Sequence, residues 1–178
     1  MEKINTVIDG LFVIKLSIFR DNRGFFVEKF NKRKFDELHE EEVGTIEFVQ
    51  DNFSRSSINV MRGLHAQEGQ GKLVGVASGA IFDVAVDIRE NSKTFGKFFG
   101  VELSAENGLL LWIPDGFLHG FQVISDSADV HYKVTSYYDP SKELGINPLD
   151  PFFNISWPNK ELAILSQKDK ISPYYSEK

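Results

Sequence analysis

Four side chains in this sequence have the types that proton transfer at a carbon atom requires. His65 closes the motif Arg62-Gly63-Leu64-His65, Lys72 opens an apolar run, and Tyr132 and Asp169 lie farther along the chain. A histidine can act as a base near neutral pH, and a buried ammonium can stabilise an enolate oxygen. A phenol can return a proton, and a carboxylate can orient the histidine. The chain has no cysteine, so these residues predict acid–base chemistry without a thiol nucleophile.

Each of these residues also has a structural interpretation. His65 and Tyr132 could be ordinary sheet residues, Lys72 a solvated charge, and Asp169 a helix cap. Asp169 matters for chemistry only if the C-terminal segment folds back onto His65. Arg62 lies three positions before His65, so on a regular strand the two side chains would face opposite ways. A bend or twist would be needed to bring them into one pocket.

Metal binding is a weaker hypothesis, and we expect neither a metal nor a cofactor. The sequence contains no His-x-His pair and no His-Glu-x-x-His motif, and His65-Ala66-Gln67 lacks a second ligand. His119 could be a core histidine or a phosphate contact. The nearby Gly116 and Gly120 would allow a ligand to approach closely. No Walker loop and no GxGxxG motif is present.

Composition places the chain among ordinary globular proteins. With 178 residues and 42% hydrophobic residues, residues 1–178 are expected to form a single domain. The net charge of −6 argues against nucleic-acid binding, which needs a basic surface. The start of the chain lacks the apolar core of a signal peptide, and no apolar run is long enough for a membrane span. Together with the absence of cysteine, this favours a cytoplasmic location.

Most of the chain is predicted to form short strands separated by turns. Residues 73–77 and 80–87 flank Ser78-Gly79, which is a two-residue hairpin signal. Alternation in the second run puts Asp83 and Asp87 on one face. Many short strands with regular turns are typical of a sandwich or barrel, here a jelly roll. Further strands are predicted at residues 11–14, 25–28, 98–103, 109–113, 120–124 and 130–136.

Short helices are predicted on either side of the strands. Asn31 can cap a helix in which Phe35 and Leu38 share one face. Five of the six prolines lie in residues 139–178. That region is therefore expected to be an irregular arm, with a short helix near residues 160–165.

Several motifs occur in an order that resembles the RmlC-type sugar-nucleotide epimerases, the dTDP-4-dehydrorhamnose 3,5-epimerase family. The resemblance runs from about residue 19 to residue 169. It is carried by Asp21-Asn22-Arg23-Gly24, Gln50-Asp51-Asn52, Arg62-Gly63-Leu64-His65, Gln70-Gly71-Lys72, Trp112-Ile113-Pro114-Asp115-Gly116-Phe117-Leu118-His119, Tyr132-Lys133 and Ser166-Gln167-Lys168-Asp169.

The resemblance implies an all-β, cupin-type double-stranded β-helix (jelly roll) with short flanking helices, acting without metal or cofactor. It implies a homodimer that exchanges strands and inverts C3 and C5 of dTDP-4-dehydro-6-deoxy-D-glucose, giving dTDP-4-dehydro-L-rhamnose. By the same resemblance, His65 is the base, Asp169 orients it, Lys72 stabilises the enolate and Tyr132 is the acid. The substrate-binding residues it implies are Arg23, Glu28, Gln50, Asn52, Arg62, His119, Tyr138 (stacked on thymine), Glu143 and Lys168.

Three departures from the family pattern leave other functions open. Ala66 replaces the usual aromatic after the base, the connection from His65 to Lys72 is shorter, and the segment around Pro148 lacks a tryptophan. None of these touches the acid–base set. One alternative is an epimerase of C3 only or C5 only that acts on a related 4-keto sugar nucleotide. Another is a silent jelly roll that binds a sugar nucleotide without turning it over.

Overall fold

The computed structural model describes residues 1–38 and 46–175, and thirteen strands and two α-helices are found within them. No helix in these ranges is long and apolar enough to cross a membrane. Strands β1 to β13 are Glu2–Asn5, Phe12–Lys15, Ile18–Asp21, Gly24–Val27, Gln50–Ser57, Met61–Gln67, Lys72–Ser78, Ala80–Asp87, Phe98–Ser104, Leu109–Ile113, Phe117–Val123, Ser127–Val134 and Glu143–Gly145; helices α1 and α2 are Lys32–Asp36 and Gln167–Ile171.

Two antiparallel sheets form the body of the molecule. The six-stranded sheet has the order β1-β2-β10-β7-β12-β5, and the five-stranded sheet has the order β13-β6-β11-β8-β9. From β5 onward most connections cross from one sheet to the other, as in a jelly roll. The predicted all-β jelly roll is therefore confirmed. Strands β3 and β4 form a separate hairpin outside both sheets.

The predicted hairpin at Ser78-Gly79 is wrong. Strand β7 pairs with β10 and β12, whereas β8 pairs with β11 and β9, so the turn carries the chain between sheets. Gly79 has a φ of +74°, and a Cβ there would collide with the carbonyl oxygen of Ser127. The local signal correctly marks a reversal of direction, but partners elsewhere in the chain decide which strands pair.

The five-stranded sheet is buried on both faces. On β8, Ile81 and Ala85 point into the core between the sheets, as the predicted alternation requires. Val84 and Val86 point the other way, into a second cluster closed by the C-terminal arm. Arm residues Phe153, Ile155 and Trp157 are at most 8% exposed. Each such side chain contributes about 1.5–3 kcal/mol on burial, so the arm is an integral part of the fold.

The short helices partly match expectation. In α1, the side chain of Asn31 accepts a hydrogen bond from the Lys34 amide, and Phe35 is fully buried, which confirms the predicted cap and buried face. The helix predicted near residues 160–165 is a single 3-10 turn, Lys160–Leu162. Helix α2 follows it and was not predicted, because its five residues carry no apolar periodicity.

Candidate active site

Strands β6 and β11 bring the two site histidines together. His65 and His119 are register partners, and the pairing resumes at Arg62 and Phe121. Three steps on β6 therefore oppose two on β11, which is the signature of a bulge. The extra residue returns the Arg62 side chain to the face of His65, and both line one cavity. The sequence predicted that a bend or twist would be needed to bring the two side chains into one pocket, and the bulge provides it.

Two glycines allow this close pairing. Gly63 has a φ of +113°, and a Cβ added there would lie 2.6 Å from the His119 carbonyl oxygen and 2.7 Å from Gly120 Cα. A Cβ on Gly120 would in turn lie 2.7 Å from the Arg62 carbonyl oxygen. Gly120 thus makes room for the neighbouring strand, and it also lines the larger cavity, where the predicted close approach of a ligand remains a prediction.

Two adjoining cavities of about 440 and 320 Å³ lie at this end of the jelly roll. His65, Lys72 and Tyr132 line both of them. Together they collect eleven of the thirteen residues predicted for the site. The larger cavity adds Arg62, His119, Lys168 and Asp169, and the smaller adds Gln50, Asn52, Tyr138 and Glu143.

His65 is paired with a carboxylate from the C-terminal arm. Its Nε2 lies 2.7 Å from Asp169 Oδ1, so the arm does fold back onto β6. Ser166 caps α2 by accepting a hydrogen bond from the Asp169 amide at 3.0 Å. Burial alone would raise the pKa of Asp169, but hydrogen bonds with His65 and Ser166 bring it below its usual value. Asp169 is therefore an anion that can hold one ring nitrogen of His65 protonated.

His119 has a carboxylate partner of its own. Its Nε2 lies 2.8 Å from Oδ1 of Asp83, which is fully buried on β8. The other oxygen, Oδ2, has no hydrogen-bond partner among the described residues. His119 thus lines the cavity, and its hydrogen bond with Asp83 fixes the orientation of its ring. The sequence indicated that Asp83 lies on a carboxylate-bearing face, but its pairing with His119 requires knowledge that β8 and β11 are neighbours.

Lys72 lies between the two histidine–aspartate pairs. Its side chain is buried, and Nζ donates a hydrogen bond to the His65 carbonyl oxygen at 3.3 Å. Burial lowers its pKa to about 8, although the carboxylates of Asp83 and Glu143 act in the opposite direction. At neutral pH the group is a poorly solvated cation, which interacts strongly with a developing negative charge.

Tyr132 lies on β12, opposite Asn52 on the edge strand β5. Burial raises the pKa of the Tyr132 phenol, with Arg62 opposing the shift. The phenol therefore keeps its proton at neutral pH and can donate it. Beside it, Gln50 Nε2 donates to Asn52 Oδ1 at 2.8 Å, so both amides are held at the cavity wall.

A hydrogen-bonded group of side chains connects the linings of the two cavities. Tyr138 donates its hydroxyl to Glu143 Oε2 at 2.9 Å, and Lys168 Nζ contacts both Glu143 oxygens at 2.8 Å. Gln67 holds the adjoining loop through the Tyr137 carbonyl and the Asp139 amide, both at 2.9 Å. Sequence reasoning missed Gln67, whose role depends on contacts some 70 residues away along the chain.

Arg23 and Glu28 are not brought to these cavities within one chain. Arg23 is paired with Asp21 on the β3–β4 hairpin, and its side chain is 85% exposed. Glu28 binds Lys34 at 2.8 Å and Asn31 at 3.2 Å. The two residues lie on or beside a hairpin that projects from the body of the molecule.

Within residues 1–38 and 46–175, no three His, Asp or Glu side chains lie close enough to share a metal ion. The expectation of metal-free chemistry remains a prediction.

Comparison with known proteins places this geometry in context. The family model described as dTDP-4-dehydrorhamnose 3,5-epimerase matches residues 5–177. The enzyme of that name from Salmonella typhimurium is 50% identical over 174 residues, which is 96% of this chain and 93% of the relative. A Legionella pneumophila crystal structure, dTDP-6-deoxy-D-glucose-3,5-epimerase RmlC with dTDP-4-keto-L-rhamnose, superposes with a TM-score of 0.91 at 51% identity, covering 97% and 92% of the two chains. A dTDP-4-dehydrorhamnose 3-epimerase from Streptomyces niveus is more distant, at 35% identity over 92% of this chain and 78% of that protein.

Proposed function

The chain belongs to the dTDP-4-dehydrorhamnose 3,5-epimerase family, and on that basis we propose that it converts dTDP-4-dehydro-6-deoxy-D-glucose to dTDP-4-dehydro-L-rhamnose. The observation that carries the proposal is the 2.7 Å contact between His65 and Asp169 at a cavity that Lys72 and Tyr132 also line. A base, an orienting carboxylate, a buried cation and a protonated phenol are the groups this reaction needs.

In the proposed mechanism the C4 ketone acidifies the protons at C3 and C5. The carboxylate of Asp169 keeps Nε2 of His65 protonated, so the lone pair of Nδ1 accepts the proton from carbon. The electron pair moves to the C4 oxygen, where Lys72 stabilises the enolate. Tyr132 then donates its proton to the opposite face of the carbon. His65 then releases its added proton to solvent and Tyr132 takes up a proton from solvent. The cycle repeats at the second carbon.

Cationic side chains at the larger cavity would hold the diphosphate. Arg62 uses Nε to donate to Ser56 at 3.0 Å, which leaves guanidinium donors for phosphate oxygens. His119 and Lys168 line the same space. This local clustering accounts for binding of a dianion by a chain with a net charge of −6. In the smaller cavity Gln50, Asn52 and Glu143 would contact sugar or nucleoside, and Tyr138 would stack on thymine.

We further propose a homodimer in which the β3–β4 hairpin of each chain completes the partner's site. Arg23 and Glu28 would then reach a substrate they cannot reach in their own chain. The hairpin exposes Phe19 and Phe26, at 63% and 68%, which favours burial against a second chain. Strand β5 lies at the edge of its sheet, next to the smaller cavity, where an incoming hairpin could pair.

Complementation tests the shared site. Arg23→Ala and His65→Ala chains, each inactive alone, should recover roughly a quarter of wild-type activity when mixed one to one and allowed to exchange. Half of the dimers would then be mixed, and each would hold one intact site. If the mixture stays inactive while mixed dimers are present, each site is built from one chain only.

Proton NMR in D₂O with dTDP-4-dehydro-6-deoxy-D-glucose tests the reaction. We expect deuterium at both C3 and C5 and a product with both centres inverted. Exchange at one carbon would favour a mono-epimerase, a possibility raised by the 3-epimerase relative and by Ala66 beside the base. Binding without exchange would indicate a silent sugar-nucleotide protein and would refute the proposed catalysis.

Tyr132→Phe separates the acid from the base. Since proton abstraction needs only His65, the variant should lose inversion more than it loses deuterium exchange. Equal loss of both would mean that Tyr132 is not simply the acid.

A further inference from the structure

The segment that carries Asp169 is fastened to the jelly roll on both sides of α2. Ahead of the helix, the Met61 amide donates to the Ile164 carbonyl oxygen at 2.9 Å. Behind it, the Asn147 amide donates to the Pro173 carbonyl oxygen at 3.0 Å. The segment that contains α2 is therefore attached to β6 before the helix and to the loop at residue 147 after it.

The last described residue completes the second attachment. The ring of Tyr175 lies in an aromatic slot formed by Phe95, Phe152 and Phe153, with centroid distances of 6.0, 5.7 and 5.4 Å. Its amide donates to Oδ2 of the buried Asp150 at 2.5 Å. We call Tyr175 in this slot the C-terminal latch.

Helix α2 is too short to be stable without contacts to the rest of the chain. It spans five residues, whereas isolated helices need about 12–15 to be even marginally stable. Asp169 is its buried residue, and Ile171 at its end is 73% exposed. The position of the Asp169 carboxylate is therefore set by tertiary contacts: the attachments on either side, the Lys168–Glu143 ion pair, and the hydrogen bond from Asn147 Nδ2 to the Lys170 carbonyl oxygen at 3.2 Å.

We propose that Tyr175 is a positioning residue for the reaction, and that the C-terminal latch holds Asp169 against His65. This inference rests on the proposed function of the His65–Asp169 pair. Opening the latch removes the anchor beyond Pro173 and leaves the single Asn147–Pro173 hydrogen bond behind α2, so that the helix can shift away from β6. His65 then loses the carboxylate that fixes its tautomer, although Tyr175 itself touches no reacting atom.

The test compares Tyr175→Ala with Tyr174→Ala, a matched change one residue earlier at a ring that is 37% exposed. We expect Tyr175→Ala to lower kcat by about tenfold to a hundredfold with a smaller change in KM, because misplacement of a catalytic group by about 1 Å has effects of this size. Tyr175→Phe keeps the ring and should stay close to wild type. Circular dichroism checks that each variant is folded.

A double-mutant comparison distinguishes positioning from general destabilisation. In the Asp169→Asn background, Tyr175→Ala should cause little further loss of kcat, because the group it positions is already altered. An equal loss in both backgrounds, or wild-type kcat in Tyr175→Ala, would overturn the proposal. So would a loss in Tyr174→Ala as large as that in Tyr175→Ala.

A spectroscopic measurement judges the latch independently of turnover. The His65 Nε2 proton, which Asp169 protects from exchange with solvent, should give an observable imidazole resonance in wild type and in Tyr174→Ala. In Tyr175→Ala the resonance should broaden or disappear. If the wild-type protein fails to epimerise the sugar but this pattern holds, the proposed function is wrong and the latch stands. If the resonance persists in Tyr175→Ala, the latch is wrong.

Discussion

The two histidine–aspartate pairs of this molecule have the same hydrogen-bond geometry and different supports. His119 and Asp83 lie on neighbouring strands of one sheet, 2.8 Å apart, and both are almost fully buried. His65 is on that sheet too, but its partner Asp169 comes from the C-terminal arm, and the His65 side chain remains 32% exposed.

This difference indicates a division of labour, in which one pair binds substrate and the other transfers protons. A pair built entirely into a sheet is rigid and suits a fixed contact with a charged ligand. A pair that joins a sheet to an arm leaves its histidine open to the cavity, where a ring nitrogen can accept a proton. Lys72 interacts with both pairs. It donates a hydrogen bond to the His65 carbonyl oxygen, and the charge of the Asp83 carboxylate acts to raise its pKa.

The largest effect is expected at the arm-supported pair. His65→Ala should reduce turnover by about 10²–10⁴-fold or more, because it removes the base. Since His65 lines a cavity rather than the core, the variant should keep its fold. Steady-state kinetics with circular dichroism make the check, and near-normal turnover in a folded variant would contradict the assigned role.

Lys72 should make the reaction sensitive to alkaline pH. Its pKa of about 8 means that the cation loses its proton as pH rises through that value, so kcat should decline on the basic side. Lys72→Met should cost about 10²–10³-fold at neutral pH, comparable to the loss of an oxyanion-hole donor. In Lys72→Arg the charge persists, so a decline that stays near pH 8 in that variant would have another origin.

The sheet-supported pair should affect binding more than turnover. Asp83→Asn keeps an acceptor for His119 but removes the buried charge behind it. We expect KM to rise about tenfold, equivalent to one charge-assisted hydrogen bond. Measured well below pH 8, where Lys72 keeps its proton, kcat should change little. If instead kcat collapses at saturating substrate, His119 takes part in proton transfer and the division of labour fails.

The smallest effect is expected at the caps of the two helices. Ser166→Ala and Asn31→Ala each remove a side-chain cap and should cost about 0.5–2 kcal/mol of stability. The Ser166 cap bond is to the amide of Asp169, so that variant should also lose kcat, by a few-fold. Asn31 contacts Glu28 and not the acid–base residues, so Asn31→Ala should act on KM and leave kcat unchanged. Thermal unfolding and kinetics on both variants make the comparison. Matched kinetic losses would mean that the arm is no more sensitive than the body.

Much of this site was predictable because its chemistry is concentrated in short motifs. The Arg62-Gly63-Leu64-His65 segment and the strand beginning at Lys72 indicated a base beside a buried cation, and alternation placed Asp83 and Asp87 on one face of β8. The C-terminal carboxylate Asp169 was a candidate only on the condition that the arm folds back onto His65, and its pairing with His65 came from the family resemblance, since nothing local links the arm to β6.

What could not be predicted depends on pairing over long distances. The bulge between the His65–His119 and Arg62–Phe121 pairs decides that Arg62 joins His65. Strand order decides that the turn at Gly79 joins two sheets rather than closing a hairpin. The location of Arg23 outside the cavities of its own chain follows from the separate β3–β4 hairpin. Periodicity within one segment carries no information about any of these.

The assignment of His65 as the base can be tested by measuring the rate of deuterium entry at C3 and C5 in His65→Asn and His119→Asn, side by side at saturating substrate. We expect His65→Asn to lose exchange at both carbons. His119→Asn should retain exchange within about tenfold of wild type, because its loss is one of binding. Exchange that survives in His65→Asn and disappears in His119→Asn would reverse the assignment and contradict the account.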